Sequence, residues 1–323
     1  MKRAPVPVTI IGGFLGAGKT TVLNQILRSD HGLRVAVMVN DFGEINIDSQ
    51  LIVSVQDDIY SLANGCICCT VQTDLIEQIA GLMNLREGAP EYILIETSGV
   101  SDPARVAHTL QYPRLRGHVT LDSVISVVDA EQFNGLEGDM AKLAMDQLDA
   151  ADIIVINKTD LVTRPEIEVL KAEWFYPNAR IIETTHGQVP VELLVSTRDL
   201  ELDGPSRAQS TEIASKHRHD VTFDTWCWSG PGKMSLDKLR AFLAGLPVEI
   251  YRAKGIFDVA ELPDQRAELH LVGSRTQLTR GAPWGDKTRQ NQIVVIGANG
   301  AIDPQKLQSA LMTCLEHCEA SVE

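Results

Sequence analysis

Between Val8 and Thr185 the chain alternates short runs of consecutive apolar residues with stretches of helical periodicity. The runs are Val8-Thr9-Ile10-Ile11, Val35-Ala36-Val37-Met38-Val39, Tyr92-Ile93-Leu94-Ile95, Val124-Ile125-Ser126-Val127-Val128, Ile153-Ile154-Val155-Ile156 and Ile181-Ile182. Strands without polar alternation belong in a sheet covered on both faces, which is the parallel α/β arrangement. Between them Leu23, Ile26 and Leu27, and then Leu75, Ile76, Ile79 and Leu82, recur at helical spacing. The expected fold is α/β, a doubly wound and mostly parallel sheet.

The pattern breaks after Arg198. Residues up to about Asp220 hold Gly204, Pro205, several Ser and a cluster of His and Arg with almost no apolar periodicity, which reads as a linker. Beyond it the expected order is a strand (221–228), a helix (235–246), three strands (248–259, 267–278, 291–297) and a last helix (303–318), with Ser235 and Asp303-Pro304 as helix starts. The expected domains are residues 1–200, a linker over 201–219, and a smaller α+β domain over 220–323.

The length of 323 residues accommodates two such domains. The net charge of −14 repels phosphate backbones and anionic lipid, and the sequence offers no obvious basic patch against that field, so neither nucleic acid nor a membrane is an expected partner. Six cysteines are too few for a disulfide framework, and Cys66, Cys68 and Cys69 crowd together, so reduced thiols and a cytoplasmic location are expected. The start, Met1-Lys2-Arg3 followed by apolar residues, reads as strand plus loop because it ends in a Gly-rich turn rather than a membrane stop.

That turn carries the first chemistry. Gly13-Phe14-Leu15-Gly16-Ala17-Gly18-Lys19-Thr20 fits G-x-x-x-x-G-K-[ST], directly after a strand and before a helix. The backbone through Gly13, Gly16, Ala17, Gly18, Thr20 and Thr21 is expected to turn its N–H groups around phosphates. Lys19 supplies a charge to the β and γ phosphates, and the Thr20 hydroxyl is a ligand for Mg²⁺. Asn157-Lys158-Thr159-Asp160 closes a later strand, at the edge where open α/β sheets bind ligands. A carboxylate at Asp160 accepts from both the ring N–H and the amine of guanine and finds neither donor on adenine, which points to GTP. The Lys158 stem is placed to cover the base and Asn157 to brace the loop. His186, within Thr185-His186-Gly187, either closes the other side of the base or belongs to a plain turn.

Glu96-Thr97-Ser98-Gly99 follows another strand, placing an acid near Mg²⁺ and the Gly99 N–H near the γ phosphate. Asn40-Asp41-Phe42-Gly43-Glu44 is a candidate switch. Val100 stands where Ras-like enzymes carry a water-orienting Gln, and an aliphatic residue cannot orient water, so slow unassisted turnover is expected, about 10⁻⁴ to 10⁻² per second, unless a partner or bound metal completes the site. Gly65-Cys66-Ile67-Cys68-Cys69 presents three soft donors suited to Zn²⁺ or Cu⁺, with redox sensing and inert packing as alternatives.

Taken together, these five motifs resemble the CobW-like P-loop GTPases, a group related to the UreG and HypB metallochaperones. Arg252-Ala253-Lys254-Gly255 and residues 293–297 extend the resemblance to the smaller domain. It implies GTP hydrolysis coupled to trafficking of Zn²⁺ or Co²⁺ to a client metalloprotein. It makes Cys66, Cys68 and Cys69 metal ligands and Glu44 a candidate further one, and it leaves a homo-oligomer open. The long His-rich run of many members is reduced here to His217-Arg218-His219-Asp220, which reads as solvated linker. Cys314, His317 and Cys318, and Cys227 between two Trp, read as packing. A regulatory or redox-sensing GTPase whose thiols carry no cargo is the alternative. An ATP-dependent kinase is disfavoured by Asp160.

Overall fold

A computed structural model of the chain describes residues 4–29, 31–39, 60–62, 71–85, 89–196, 214–218, 221–285 and 288–316. Chain contacts divide it into two compact units, Met1–Arg198 with His219–Val221, and Asp199–Arg218 with Thr222–Glu323.

The first unit is built on seven strands: β1 (Val6–Gly13), β2 (Val35–Val39), β3 (Tyr60–Leu62), β4 (Tyr92–Glu96), β5 (Val119–Asp129), β6 (Ile153–Asn157) and β7 (Ile181–Glu183), in the order β3-β2-β4-β1-β5-β6-β7. Every neighbouring pair is parallel. The helices are α1 (Lys19–Arg28), α2 (Val71–Met83), α3 (Pro103–Thr109), α4 (Gly138–Asp149), α5 (Arg164–Trp174) and α6 (Val191–Leu194). Leu75, Ile79, Leu82 and Val106 from α2 and α3 bury against Ile10, Ile93 and Val124, while Leu148, Ile167 and Leu170 from α4 and α5 bury against Val128, Ile154 and Ile156. The register places Ile10 beside Val124 and Val128 beside Ile156, so these helices share one face of the sheet. α6 lies on the other, where its Leu194 carbonyl accepts from Ser123 Oγ at 3.2 Å. The doubly wound parallel sheet expected from the apolar runs is the fold observed.

A bulge in β5 explains a buried polar knot. Val8 pairs with Leu121 and Thr9 with Ser123, so Asp122 is the extra residue and its side chain joins the Thr9 face. Thr9 Oγ1 lies 2.7 Å from Tyr92 Oη and 2.8 Å from Ser123 Oγ. Tyr92 donates to Asp122 Oδ2, and Ser196 Oγ donates to Asp122 Oδ1 at 2.7 Å, which ties the segment after α6 to the sheet. Asp122, Tyr92 and Thr9 are all at most 1% exposed. Asp122→Ala should therefore destabilise the first unit by about 2 kcal/mol, because two buried hydroxyls lose an acceptor. Urea unfolding checks this, and a midpoint equal to wild type would contradict it.

The second unit is a six-stranded sheet of β8 (Ala214–Arg218), β9 (Val221–Gly230), β10 (Ile250–Phe257), β11 (Gln265–Val272), β12 (Arg275–Pro283) and β13 (Asn291–Ala298), in the order β12-β11-β10-β13-β9-β8. It carries α7 (Leu236–Ala244) and α8 (Pro304–Met312) against a core of Trp226, Ile250, Phe257, Leu271, Val295 and Leu311. The registered pairs β9–β13, β13–β10, β10–β11 and β11–β12 are antiparallel.

Three expectations need correction here. The single strand expected over 267–278 is a hairpin, with Val272 paired to Arg275 around Gly273 at φ 56°, a two-residue turn. Residues 214–218, expected within the linker, form the edge strand β8, because pairing at a sheet edge needs backbone groups rather than apolar side chains. The last helix ends at Met312 rather than 318. Asp303 caps that helix by accepting from Lys306 N at 3.0 Å, whereas the first amide of α7 donates to Glu261 at 3.1 Å instead of to Ser235.

Candidate functional site

The loop between β1 and α1 is shaped by its glycines. Gly13, Gly16 and Gly18 have φ of 132°, 75° and 97°, a region that other residues avoid. A Cβ on Gly18 would stand 2.3 Å from Asn157 Nδ2, and one on Gly13 would stand 2.1 Å from the Val127 carbonyl oxygen. Gly18 is also the N-cap of α1 and supplies no side chain to its first amides, which leaves the positive end of the helix facing the loop. Ala17 is fully buried, while Thr21 on the first turn is exposed. Backbone N–H groups around a concavity that only glycine permits fit a phosphate chain. Gly18→Ala should abolish measurable nucleotide affinity while the second unit stays folded. Nucleotide titration by calorimetry checks this, and wild-type affinity would refute the cradle.

Lys19 is 8% exposed and donates from Nζ to the Phe14 carbonyl at 3.1 Å, so its charge is held over the loop. Thr20 Oγ1 donates to Glu96 Oε1 at 2.7 Å. Two hard oxygen donors from different elements, one hydroxyl and one carboxylate, suit Mg²⁺. Thr97 N donates to the Ile11 carbonyl at 2.9 Å and carries the chain from β4 past β1 to Gly99. A Cβ on Gly99 would be 2.7 Å from Leu15 N, so this turn lies against the glycine loop at a distance no other residue allows. Val100, at 41% exposure, extends outward beside it.

Asn157 ties the two halves of the site together. Its Nδ2 donates to the Ala17 carbonyl at 3.0 Å and its Oδ1 accepts from Gly187 N at 2.9 Å, joining the glycine loop to the turn after β7. In that turn His186 has φ 52° and is exposed, and Gly187 packs against Thr21 and Val22. Lys158, at φ 61°, has its Nζ 2.7 Å from Asp129 Oδ2 at the end of β5. Thr159 Oγ1 donates to the Thr184 carbonyl at 3.0 Å, and Asp160 follows with its carboxylate exposed. The fold thus gathers Gly13, Gly16, Gly18, Lys19, Thr20, Glu96, Gly99, Asn157, Lys158, Asp160 and His186 at the carboxyl edge of one sheet.

Two supporting residues were not foreseen. Gln147 on α4 is 1% exposed and donates from Nε2 to the Gly99 and Ser101 carbonyls at 3.2 and 2.9 Å, bracing that turn. A single Gln in an amphipathic helix gives no motif to detect. Asp129 is 4% exposed and anchors Lys158 while accepting from Glu131 N at 3.0 Å. Its position at the end of a strand was a usable signal.

Glu44, Cys66, Cys68, Cys69 and the rest of the candidate switch lie outside the described residues, as do His219, His317 and Cys318. Cys314 is 1% exposed, its Sγ is 3.7 Å from the Ala310 carbonyl, and burial pushes its thiol pKa up, all of which is packing. Cys227 is half-buried on the sheet face away from Trp226.

With this geometry in place, residues 7–180 match the model of the CobW/HypB/UreG nucleotide-binding domain. The chain belongs to that family. Residues 223–315 of this CobW-family chain also match the cobalamin synthesis protein CobW C-terminal domain. It is 31% identical to a zinc chaperone CobW of Sinorhizobium, covering 91% of this chain and 93% of the relative. It is 33% identical to the Pseudomonas aeruginosa zinc chaperone CobW, over 97% and 92% of the two chains. Identity reaches 37% with the Escherichia coli zinc chaperone YjiA, over 91% and 94%.

Proposed function

We propose that the chain is a GTP-hydrolysing metal chaperone that carries Zn²⁺ to a client metalloprotein, with Co²⁺ as the other ion its donors suit. The reading is carried by Asn157, which stands three positions before Asp160 and ties that strand end to the phosphate loop and to the turn after β7, so one edge is built to recognise both ends of GTP. The curated relatives matched over almost their whole length are named zinc chaperones, which supports metal as the cargo. No helix among the described residues is long and apolar enough to cross a membrane. A cytoplasmic setting is part of the proposal, since it keeps thiols reduced.

In this mechanism the N–H groups from Gly13 to Thr21 hold the phosphates, and Lys19 draws charge from the β–γ bridge toward itself. Mg²⁺, held by Thr20 with Glu96 beside it, would neutralise charge developing on the phosphates. The N–H of Gly99, whose carbonyl accepts from Gln147, detects whether a γ phosphate is present. Asp160 takes the guanine edge, the Lys158 stem covers the base, and His186 borders it. Val100 offers no group to orient water, so turnover is slow until a client or cargo completes the site.

The cargo site in this proposal is Cys66, Cys68 and Cys69, with Glu44 as a further donor. The test is turnover of GTP against ATP by the purified chain, with zinc measured by elemental analysis. GTP turnover near 10⁻³ per second, at least about a hundredfold preference over ATP, and near-stoichiometric zinc are expected. Equal turnover of both nucleotides with no zinc bound would overturn the proposal.

A further inference from the structure

Within the strongly acidic chain one segment of the first unit has the opposite character along a helix and the loop that follows it. From residue 103 to residue 121 there is no Asp or Glu, and within it stand Arg105, His108, Arg114, Arg116 and His118. These residues are spaced apart along the chain, so no contiguous basic run marks them. The fold compacts them into α3 and the loop that leads into β5.

That loop is held by its own backbone. Gln111 N donates to the His108 carbonyl at 3.0 Å, Leu115 N and Arg116 N to the Tyr112 carbonyl at 2.9 and 3.0 Å, and His118 N to the Leu115 carbonyl at 2.9 Å. Leu115 is fully buried beneath it, and Val6 N donates to the His118 carbonyl at 2.8 Å, fixing the loop to the start of β1. Above this anchor Tyr112 is 44% exposed, and Arg105 and Arg114 expose 85% and 63% of their side chains. Asp102 reaches Arg105 at 3.8 Å and Glu77 reaches Arg114 at 3.9 Å. Exposed pairs this long contribute little and yield readily to a competing carboxylate.

The loop of residues 111–118 lies at the opposite edge of the sheet from the nucleotide site. The glycine loop follows the carboxyl end of β1, whereas the basic loop abuts its amino end, about 25 Å away along an extended strand. α3 connects the two edges, starting at Asp102, whose side chain accepts from Ala104 N at 2.8 Å just after the Gly99 turn.

We propose that α3 and the loop of residues 111–118 form a docking surface for an acidic segment of a partner protein. Guanidinium groups around an exposed Tyr are the composition of protein interfaces, and a loop rigid before binding loses little entropy on docking. Nucleic acid fits less well. Three arginines are too few for the phosphate contacts it needs, and the net charge of −14 repels its backbone. The inference does not depend on the metal reading and fails separately from it.

The test uses the full chain and a fluorescein-labelled peptide of alternating Glu and Leu, followed by anisotropy at low salt. R114E/R116E should weaken binding at least about tenfold, and K238E/R240E, on the exposed side of α7, should leave it within twofold. Thermal midpoint and GTP turnover confirm that the variants are folded. Equal loss in both double variants would overturn the proposal, as would no loss in R114E/R116E. Tighter binding of a decauridine RNA than of the peptide, or self-association of the chain that R114E/R116E abolishes, would also overturn it.

Discussion

Asp160→Asn should lower GTP affinity at least about a hundredfold and leave Mg²⁺-dependent phosphate contacts intact. Guanine presents two donors, its ring N–H and its amine, to a carboxylate that accepts both. An amide at the same place turns one N–H toward another N–H, and a donor of the base is left without an acceptor. Xanthosine triphosphate carries a carbonyl in place of the amine and should restore affinity to the variant, which distinguishes lost recognition from a collapsed loop. Collapse is not expected, because Asp160 is exposed and the turn is held by Thr159, Asn157 and the Lys158–Asp129 pair. Fluorescent-nucleotide competition measures both arms. GTP affinity within threefold of wild type would remove Asp160 from the base site.

The second large effect concerns the thiols. Replacing Cys66, Cys68 and Cys69 together by Ser should reduce Zn²⁺ affinity by about three orders of magnitude, since thiolates are the soft donors and hydroxyls do not deprotonate near neutral pH. Binding is also expected to weaken as pH falls, because protons compete with the ion for the same sulfurs. GTP binding by the variant should persist, because the phosphate and base contacts lie on β1, α1, β4 and β6. If zinc affinity were unchanged, the cargo would sit elsewhere and the regulatory or redox reading would take precedence. Chelator competition with wild type and variant reads this directly.

The parts of this molecule that were legible in the sequence are those where a single physical demand acts on consecutive residues. The central strands are apolar on both faces because both are covered, so Val35–Val39 and Ile153–Asn157 are visible as runs. The glycine loop is visible because Gly13, Gly16 and Gly18 sit in conformations that no other residue adopts cheaply. What was not legible depends on partners distant in sequence. Gln147 matters only because Gly99 lies beside it, 48 positions away. β8 is an edge strand of polar residues with no periodic signature. Val272-Gly273-Ser274-Arg275 did carry a turn signal in its glycine, outweighed by the apolar run on its amino side. The basic surface at residues 105–118 emerges only when α3 and its loop fold back to the start of β1.

The central claim is that the nucleotide and the metal are bound in one coupled equilibrium. Titrating Zn²⁺ into the chain with and without a non-hydrolysable GTP analogue, and the analogue with and without Zn²⁺, measures that coupling from both sides. Linkage requires the two affinity ratios to be equal, and the account predicts a shared factor of about ten or more. Ratios of one in both directions would contradict it.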